Sequence, residues 1–135
     1  MLLVLEIESE KPLYQQIRDQ IVEGIAAGRL VPNQTLPSIR QLAADFGINL
    51  HTVNKAYDQL EREGFILLRR KTGAVIQINP RLAEDWEARM RTLLAEAFAK
   101  GAAVEHIMQQ CQNILTGFQE QRNANVSLTD EGTNQ

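Results

Sequence analysis

The stretch "ADFGINLHTVNKAY", residues 44–57, ends one helix, stops, and starts another. Gly47 supplies the stop, because glycine takes the left-handed backbone of a helix C-terminus without strain. Asn49 restarts the helix, since its side-chain oxygen can accept a hydrogen bond from a free first-turn N–H. From Asn49 to Lys55 the outward positions offer Asn, His, Thr, Asn and Lys, and no acid. An ordinary surface helix mixes both charge signs and favours acids in its first turn, where they suit the dipole. Two explanations stand for this acid-free start. The helix faces something negative, or it is a solvated start whose Asn and Thr only cap and turn.

The neighbouring stretches supply a frame. Pro12 stands at a plausible first helical position, and Leu13, Ile17, Ile21 and Ile25 then recur every fourth residue until Gly28, with Val22 flanking. In "VPNQTLPSIRQLAADFG", Asn33 can adopt a left-handed turn and Ser38 can cap a short helix with Ile39, Leu42, Ala43 and Phe46 inward. The next helix, residues 50–63, buries Val53, Ala56, Tyr57 and Leu60 and ends at Gly64. At 100° per residue, His51, Lys55, Asp58 and Arg62 fall opposite that stripe, with Asn54 close by. Residues 65–70 and 74–78 are β-rich and flank Lys71-Thr72-Gly73, which reads as a hairpin. The order helix, helix, turn, helix, basic-tipped hairpin predicts a winged helix-turn-helix.

After Pro80 two further helices are expected, at residues 82–100 and 103–121, broken by Gly101. Their inward sets are Trp86, Met90, Leu93, Ala97 and Phe98, then Val104, Ile107, Met108, Cys111, Leu115 and Phe118. Residues 122–135 lack periodicity and are expected to be disordered. The expected domains are thus 1–79, 80–121 and a tail. The fold class is mainly α with a small β-hairpin.

Composition bounds the function. Hydrophobic residues make up 44% of the 135 residues and charged residues 23%, which suits a soluble globular protein. No apolar run is long enough to span a bilayer. The start "MLLVLEIESEK" lacks the basic region of a signal peptide, and the one cysteine suits a reducing compartment, so the chain is read as cytoplasmic. The net charge of −3 argues against nucleic acid only as a total. Residues 1–80 carry nine basic and nine acidic side chains, so the whole deficit lies beyond them.

A helix entering the major groove needs donors and acceptors near its start and no acid against phosphate. Asn49 and Asn54 can pair with adenine, His51 and Thr52 can bond base edges or phosphate, Leu50 can touch a thymine methyl, and Lys55 can meet phosphate. Arg69, Arg70 and Lys71 form the densest basic run. Strand-edge protection explains such a run as well, but its place straight after the candidate reading helix favours the nucleic-acid explanation. Arg40 gains nothing from the dipole at a helix start, so either an external anion or plain solvation accounts for it.

These residues carry a family pattern. "LPSIRQLAADFGINLHTVNKAYDQLEREGFI" resembles the DNA-binding domain of GntR-family bacterial transcription regulators. The pattern is met by Leu36, Pro37, Ser38, Arg40, Leu42, Ala43, Gly47, Thr52, Val53, Leu60, Glu61 and Gly64, and the match runs over residues 11–78. The short segment after Pro80 and "NLHTVNKAY" are similar to the YtrA-type branch. In that branch short C-terminal helices dimerise the protein, and members often repress operons for ATP-driven transporters. The resemblance implies DNA contacts from Arg40, Asn49, His51, Thr52 and Asn54, and from Arg70 and Lys71 on the wing; Ser38, Leu50, Lys55, Arg69 and Gly73 complete the candidate DNA-binding set. Two departures stand out. Lys71 replaces the first glycine of the usual Gly-x-Gly wing, and Asn33 and Gln34 replace the common Gly and Asp before Leu36.

The C-terminal segment is too small to bury its stripes alone, so Trp86, Met90, Leu93, Leu94, Ala97, Phe98, Ile107, Met108, Cys111, Leu115 and Phe118 are expected at a homodimer interface that forms a four-helix core. The same helices could admit a small-molecule effector between Trp86, Met90, Phe98, Met108 and Phe118, although filling a core is the commoner use of such residues. No phosphate-binding glycine loop, nucleophile elbow or HExxH pair occurs. His106 and Cys111 point roughly 140° apart on one helix and make no metal pair, and Cys111 reads as a buried structural thiol. The reading is a DNA-binding regulator with no cofactor, no metal and no membrane partner. The alternative is a winged helix used only for protein interaction.

Overall fold

The structure, a computed structural model, describes residues 3–70, 73–77 and 79–133. It divides into two units that meet at Asn79 and Pro80. In the first unit, α1 (Leu13–Ala26) follows Pro12, whose carbonyl accepts from the N–H groups of Gln15 and Gln16 at 3.1 Å. The helix stops as expected at Gly28, with φ 76°. α2 (Ile39–Phe46) is capped by Ser38, whose hydroxyl accepts from the Gln41 N–H at 3.1 Å. Gly47, with φ 62°, ends it. α3 (Leu50–Arg62) begins at Asn49 and stops before Gly64. Gly64 is favoured by its φ of 86°, and a Cβ there would also come within 2.6 Å of the Asn79 Nδ2, which would have to shift.

β1 (Ile66–Arg69) and β2 (Gly73–Ile76) pair antiparallel, with Ile66 opposite Ile76 and Arg69 opposite Gly73. The segment before α2 does more than turn. Asn33, at φ 70°, starts a short run in which the Asn33 and Leu36 N–H groups donate to Ile76 and Ala74 carbonyls at 2.8 Å, and Thr35 bridges Val75. This third run was not visible as a strand, because its turn residues hide a pairing set forty residues away.

The core of this unit is the union of the apolar stripes. Ile17, Ile21, Val53, Ala56, Tyr57, Leu60 and Ile66 are fully buried, joined by Leu36, Leu42 and Ile76. Each large side chain removed from water in this way stabilises the unit by roughly 1.5–3 kcal/mol. The N-terminal segment is also held. The Gln16 amide accepts from the Glu6 N–H at 2.9 Å and donates to the Glu6 and Lys11 carbonyls, and Gln20 brackets Val4 in the same way. Leu3 enters the core beside them.

The second unit consists of α4 (Trp86–Ala99) and α5 (Val104–Thr133), separated at Gly101 with φ 88°. Two expectations need correction. α4 starts at Trp86, four residues later than residue 82, and no side chain caps its first turn. Residues 122–133, expected without structure, continue α5. Extending an existing helix avoids the nucleation cost, and no proline interrupts this run.

Candidate nucleic-acid interface

The turn between α2 and α3 sets the geometry. Ile48 N–H donates back to the Ala43 carbonyl at 3.0 Å, closing α2 and launching α3 at once. The apolar stripe of α3 then packs on α1 and α2, which turns His51, Asn54 and Lys55 to solvent, with Thr52 half-buried. Tyr57 anchors the stripe, since its hydroxyl donates to the Pro37 carbonyl at 2.7 Å just ahead of α2. Leu50 is 39% exposed at the very start of the helix.

The first turn of α3 holds no acid. The acids further along are placed differently. Glu61 accepts from the Leu68 N–H at 2.6 Å and so ties α3 to β1. Glu63 takes two hydrogen bonds from Arg18, at 3.0 and 2.9 Å, which tie the end of α3 to α1. Arg18 also bonds Asp19 and lies over the Phe65 ring. Burial works against the Arg18 charge, yet the two carboxylates more than offset it and raise its pKa. Burial likewise disfavours the Asp19 charge, but hydrogen bonds from Lys11, Arg18 and Gln15 lower its pKa. Asp58 stays exposed, about 10 Å along the axis from His51. The result is an exposed helix start that offers amides and Lys55 and no acid, with Glu61 and Glu63 drawn into ties at the other end and Asp58 left exposed between them.

The expected contact residues divide by what they already do. Arg40 is exposed, and among the described residues no carboxylate pairs with it. Asn54 is exposed, and among the described residues neither the oxygen nor the nitrogen of its side-chain amide has a hydrogen-bond partner. Asn49 is different, because its Oδ1 accepts from the His51 N–H at 2.8 Å. That bond uses one of the two lone pairs of the oxygen with which a bidentate adenine contact would be made. The Ser38 hydroxyl is similarly engaged as a cap. Lys55 sits with its Nζ 4.0 Å from the centre of the Tyr14 ring. Arg69 and Arg70 are exposed at the end of β1, and Gly73 opens β2 at φ 77°. Lys71 lies outside the described residues.

In the second unit no α4 residue is buried, and Leu93, Phe98, Met108 and Leu115 are each more than 60% exposed. Leu94, Ala97, Ile107 and Phe118 are half-buried, and Trp86 and Met90 are exposed. Cys111, expected as a buried thiol, is exposed, because a two-helix hairpin has no third layer to cover it. Of the five residues expected around an effector, Phe98 and Met108 line one open groove of roughly 350 Å³. Among the described residues no helix is long and apolar enough to cross a membrane, and no group of three His, Cys, Asp or Glu could hold a metal.

Residues 13–76 match the family described as bacterial regulatory proteins, gntR family. The repressor YtrA of Bacillus subtilis (strain 168) is 33% identical over 116 residues, covering 82% of this chain and 89% of that one. The chain belongs to the GntR family, in its YtrA-like branch. Another B. subtilis regulator, YhcF, is 30% identical and covers 70% of this chain and 78% of its own. Among solved structures, YtrA of Sulfolobus acidocaldarius, a GntR-family transcription factor, is 38% identical with a TM-score of 0.55, covering 84% of this chain and 97% of that one. A transcriptional antiterminator from Listeria monocytogenes EGD-e is 29% identical with a TM-score of 0.74, covering 85% and 93%. The DNA-binding domain of AraR in complex with its operator ORX1 is 25% identical with a TM-score of 0.50, covering 56% of this chain and 98% of that one. This GntR-family chain is accordingly a DNA-binding transcription regulator.

Within that frame, residue-by-residue reading missed the ties made by Arg18, Glu61 and Glu63. Glu61 was matched to the family pattern without a role. In the structure it fixes β1, and with it Arg69, to the end of α3.

Proposed function

We propose that this regulator binds a palindromic operator as a homodimer and represses its own operon, with genes for an ATP-driven transporter among those controlled. One observation carries the DNA-facing surface: the exposed start of α3 is free of acid and lies next in sequence to α2, which carries the unpaired Arg40. In this reading Arg40, Lys55, Arg69, Arg70 and Lys71 meet phosphate, and His51, Thr52 and Asn54 meet bases or phosphate. Leu50 meets a thymine methyl, while Asn49, Ser38 and Gly73 shape the backbone that presents them. The apolar stripes of α4 and α5, uncovered in the single chain, support a second copy as the partner. The groove lined by Phe98 and Met108 is the place for a small-molecule effector, whose entry would compete with that partner. The name of B. subtilis YtrA as a repressor supports the sign of regulation.

Enrichment of bound duplexes from a randomised pool tests this reading, with a two-fold symmetric consensus as the expected result. A chain without steep salt-dependent affinity for any duplex would instead be a protein-interaction module.

Arg40→Ala and Arg70→Ala are each expected to weaken binding to every duplex and to flatten the plot of log affinity against log salt by about one unit. Anisotropy titrations across a salt series check this, and unchanged slopes would remove both residues from the phosphate contacts. The two asparagines should separate. Asn54→Ala is expected to relax sequence preference, by about 1–3 kcal/mol at one base pair, with little change in thermal stability. Asn49→Ala removes a helix cap and should cost about 0.5–2 kcal/mol of folding stability. Equal loss on specific and random duplexes for Asn54→Ala would make that residue a positioning contact.

A further inference from the structure

We propose that Tyr14 is a positioning residue for DNA binding, holding the Lys55 ammonium at the edge of the reading helix through the face of its ring. The inference rests on the DNA-binding reading above. Tyr14 lies in the first turn of α1, half-buried against the core, so its ring is fixed by packing rather than free in solvent. Lys55 projects from the exposed side of α3, and its Nζ stands 4.0 Å from the ring centre. Packing of α1 on α3 through Ile17, Ile21, Val53 and Tyr57 brings together two residues forty-one positions apart.

The chemistry of the holder matters. A free lysine has many rotamers and loses that freedom when it meets a phosphate. A carboxylate could pre-order the chain, but it would cancel the charge and repel the same phosphate. An aromatic face attracts the ammonium through its quadrupole and adds no net charge. Among the described residues no carboxylate pairs with Lys55. Its side chain stays exposed, so N–H groups remain for a phosphate after one side of the ammonium rests on the ring. The ring therefore pre-orders a full positive charge on the acid-free end of α3.

The test is a double-mutant cycle in the full chain, read as duplex affinity at fixed salt and as salt slope. Lys55→Met should weaken binding and flatten the slope by about one unit. Tyr14→Leu should weaken binding by about twofold to fivefold, the range for an exposed cation–π pair, with the slope retained because the charge is still there. Tyr14→Phe keeps the ring face and should bind like the wild type. In the Lys55→Met background Tyr14→Leu should have no further effect, whereas a merely structural role for Tyr14 would persist there. Additive losses, or a Tyr14→Phe variant as weak as Tyr14→Leu, would overturn the positioning role while leaving the DNA reading intact. A wild-type chain without salt-dependent duplex affinity would instead remove that reading and the inference with it.

Discussion

Light scattering of the full chain at micromolar concentration is expected to give roughly twice the 15.2 kDa chain mass. The argument is one of apolar surface. α4 buries none of its residues in the single chain, while Leu93, Phe98, Met108 and Leu115 lie more than 60% exposed across the two helices. An ordinary soluble monomer exposes contiguous apolar patches of only a few hundred Å². A second copy of the same hairpin makes a four-helix layer that covers both stripes by symmetry. Phe98→Glu together with Leu115→Glu would put four charges into that layer, two from each copy, and the double variant should run as a monomer with an intact first unit. Dimeric operators gain from linkage, because the second half-site is met at an effective concentration set by the first. The monomeric variant should therefore bind the full operator about 10²–10⁴-fold more weakly, with affinity for a single half-site little changed. A monomeric wild-type chain that binds its operator tightly would overturn the dimer reading.

The second large effect is on stability. Tyr57 is fully buried beneath the exposed face of α3, and its hydroxyl bonds the Pro37 carbonyl. Tyr57→Ala is expected to cost about 3–5 kcal/mol, as other large-to-small aromatic changes in cores do. That is a large share of the 5–15 kcal/mol by which a domain is usually stable. Tyr57→Phe removes only the hydrogen bond and should cost about 0.5–1.5 kcal/mol. Urea denaturation followed by circular dichroism distinguishes the two, and a loss below 1 kcal/mol for Tyr57→Ala would contradict the packing described. Burial also pushes the Tyr57 phenol above its ordinary value. The folded state then favours the protonated form, so this contribution is intact below the unfolded value near 10 and is lost as pH rises above it. Alkaline unfolding should begin at lower pH in the wild type than in Tyr57→Phe, once their difference in stability at neutral pH is subtracted.

Much of the interface was legible residue by residue. Gly47, Asn49 and Ser38 are local signals, each read from the backbone preference or the capping reach of one side chain, and each stands in the structure where it was expected. The stripe of Val53, Ala56, Tyr57 and Leu60 follows from helical periodicity, and so does the outward set that includes His51, Asn54 and Lys55. The capping oxygen of Asn49 was also legible, and in the structure it accepts from the His51 N–H. The C-terminal boundary was misjudged. Polar residues 122–133 carry no stripe, yet helix extension requires none.

The sequence by itself determined where helices start and stop, which face of each is apolar, and where basic residues cluster. These depend on interactions within about four residues. Tertiary structure alone decided which distant groups meet: Arg18 with Glu63, Gln16 with Glu6 and Lys11, residues 33–36 with β2, and the Tyr14 ring with Lys55. Such pairs join side-chain or backbone groups whose separation in sequence says nothing of their separation in space. They are set by how the stripes of α1 and α3 interlock, so the same residue types on another packing would have made other partners.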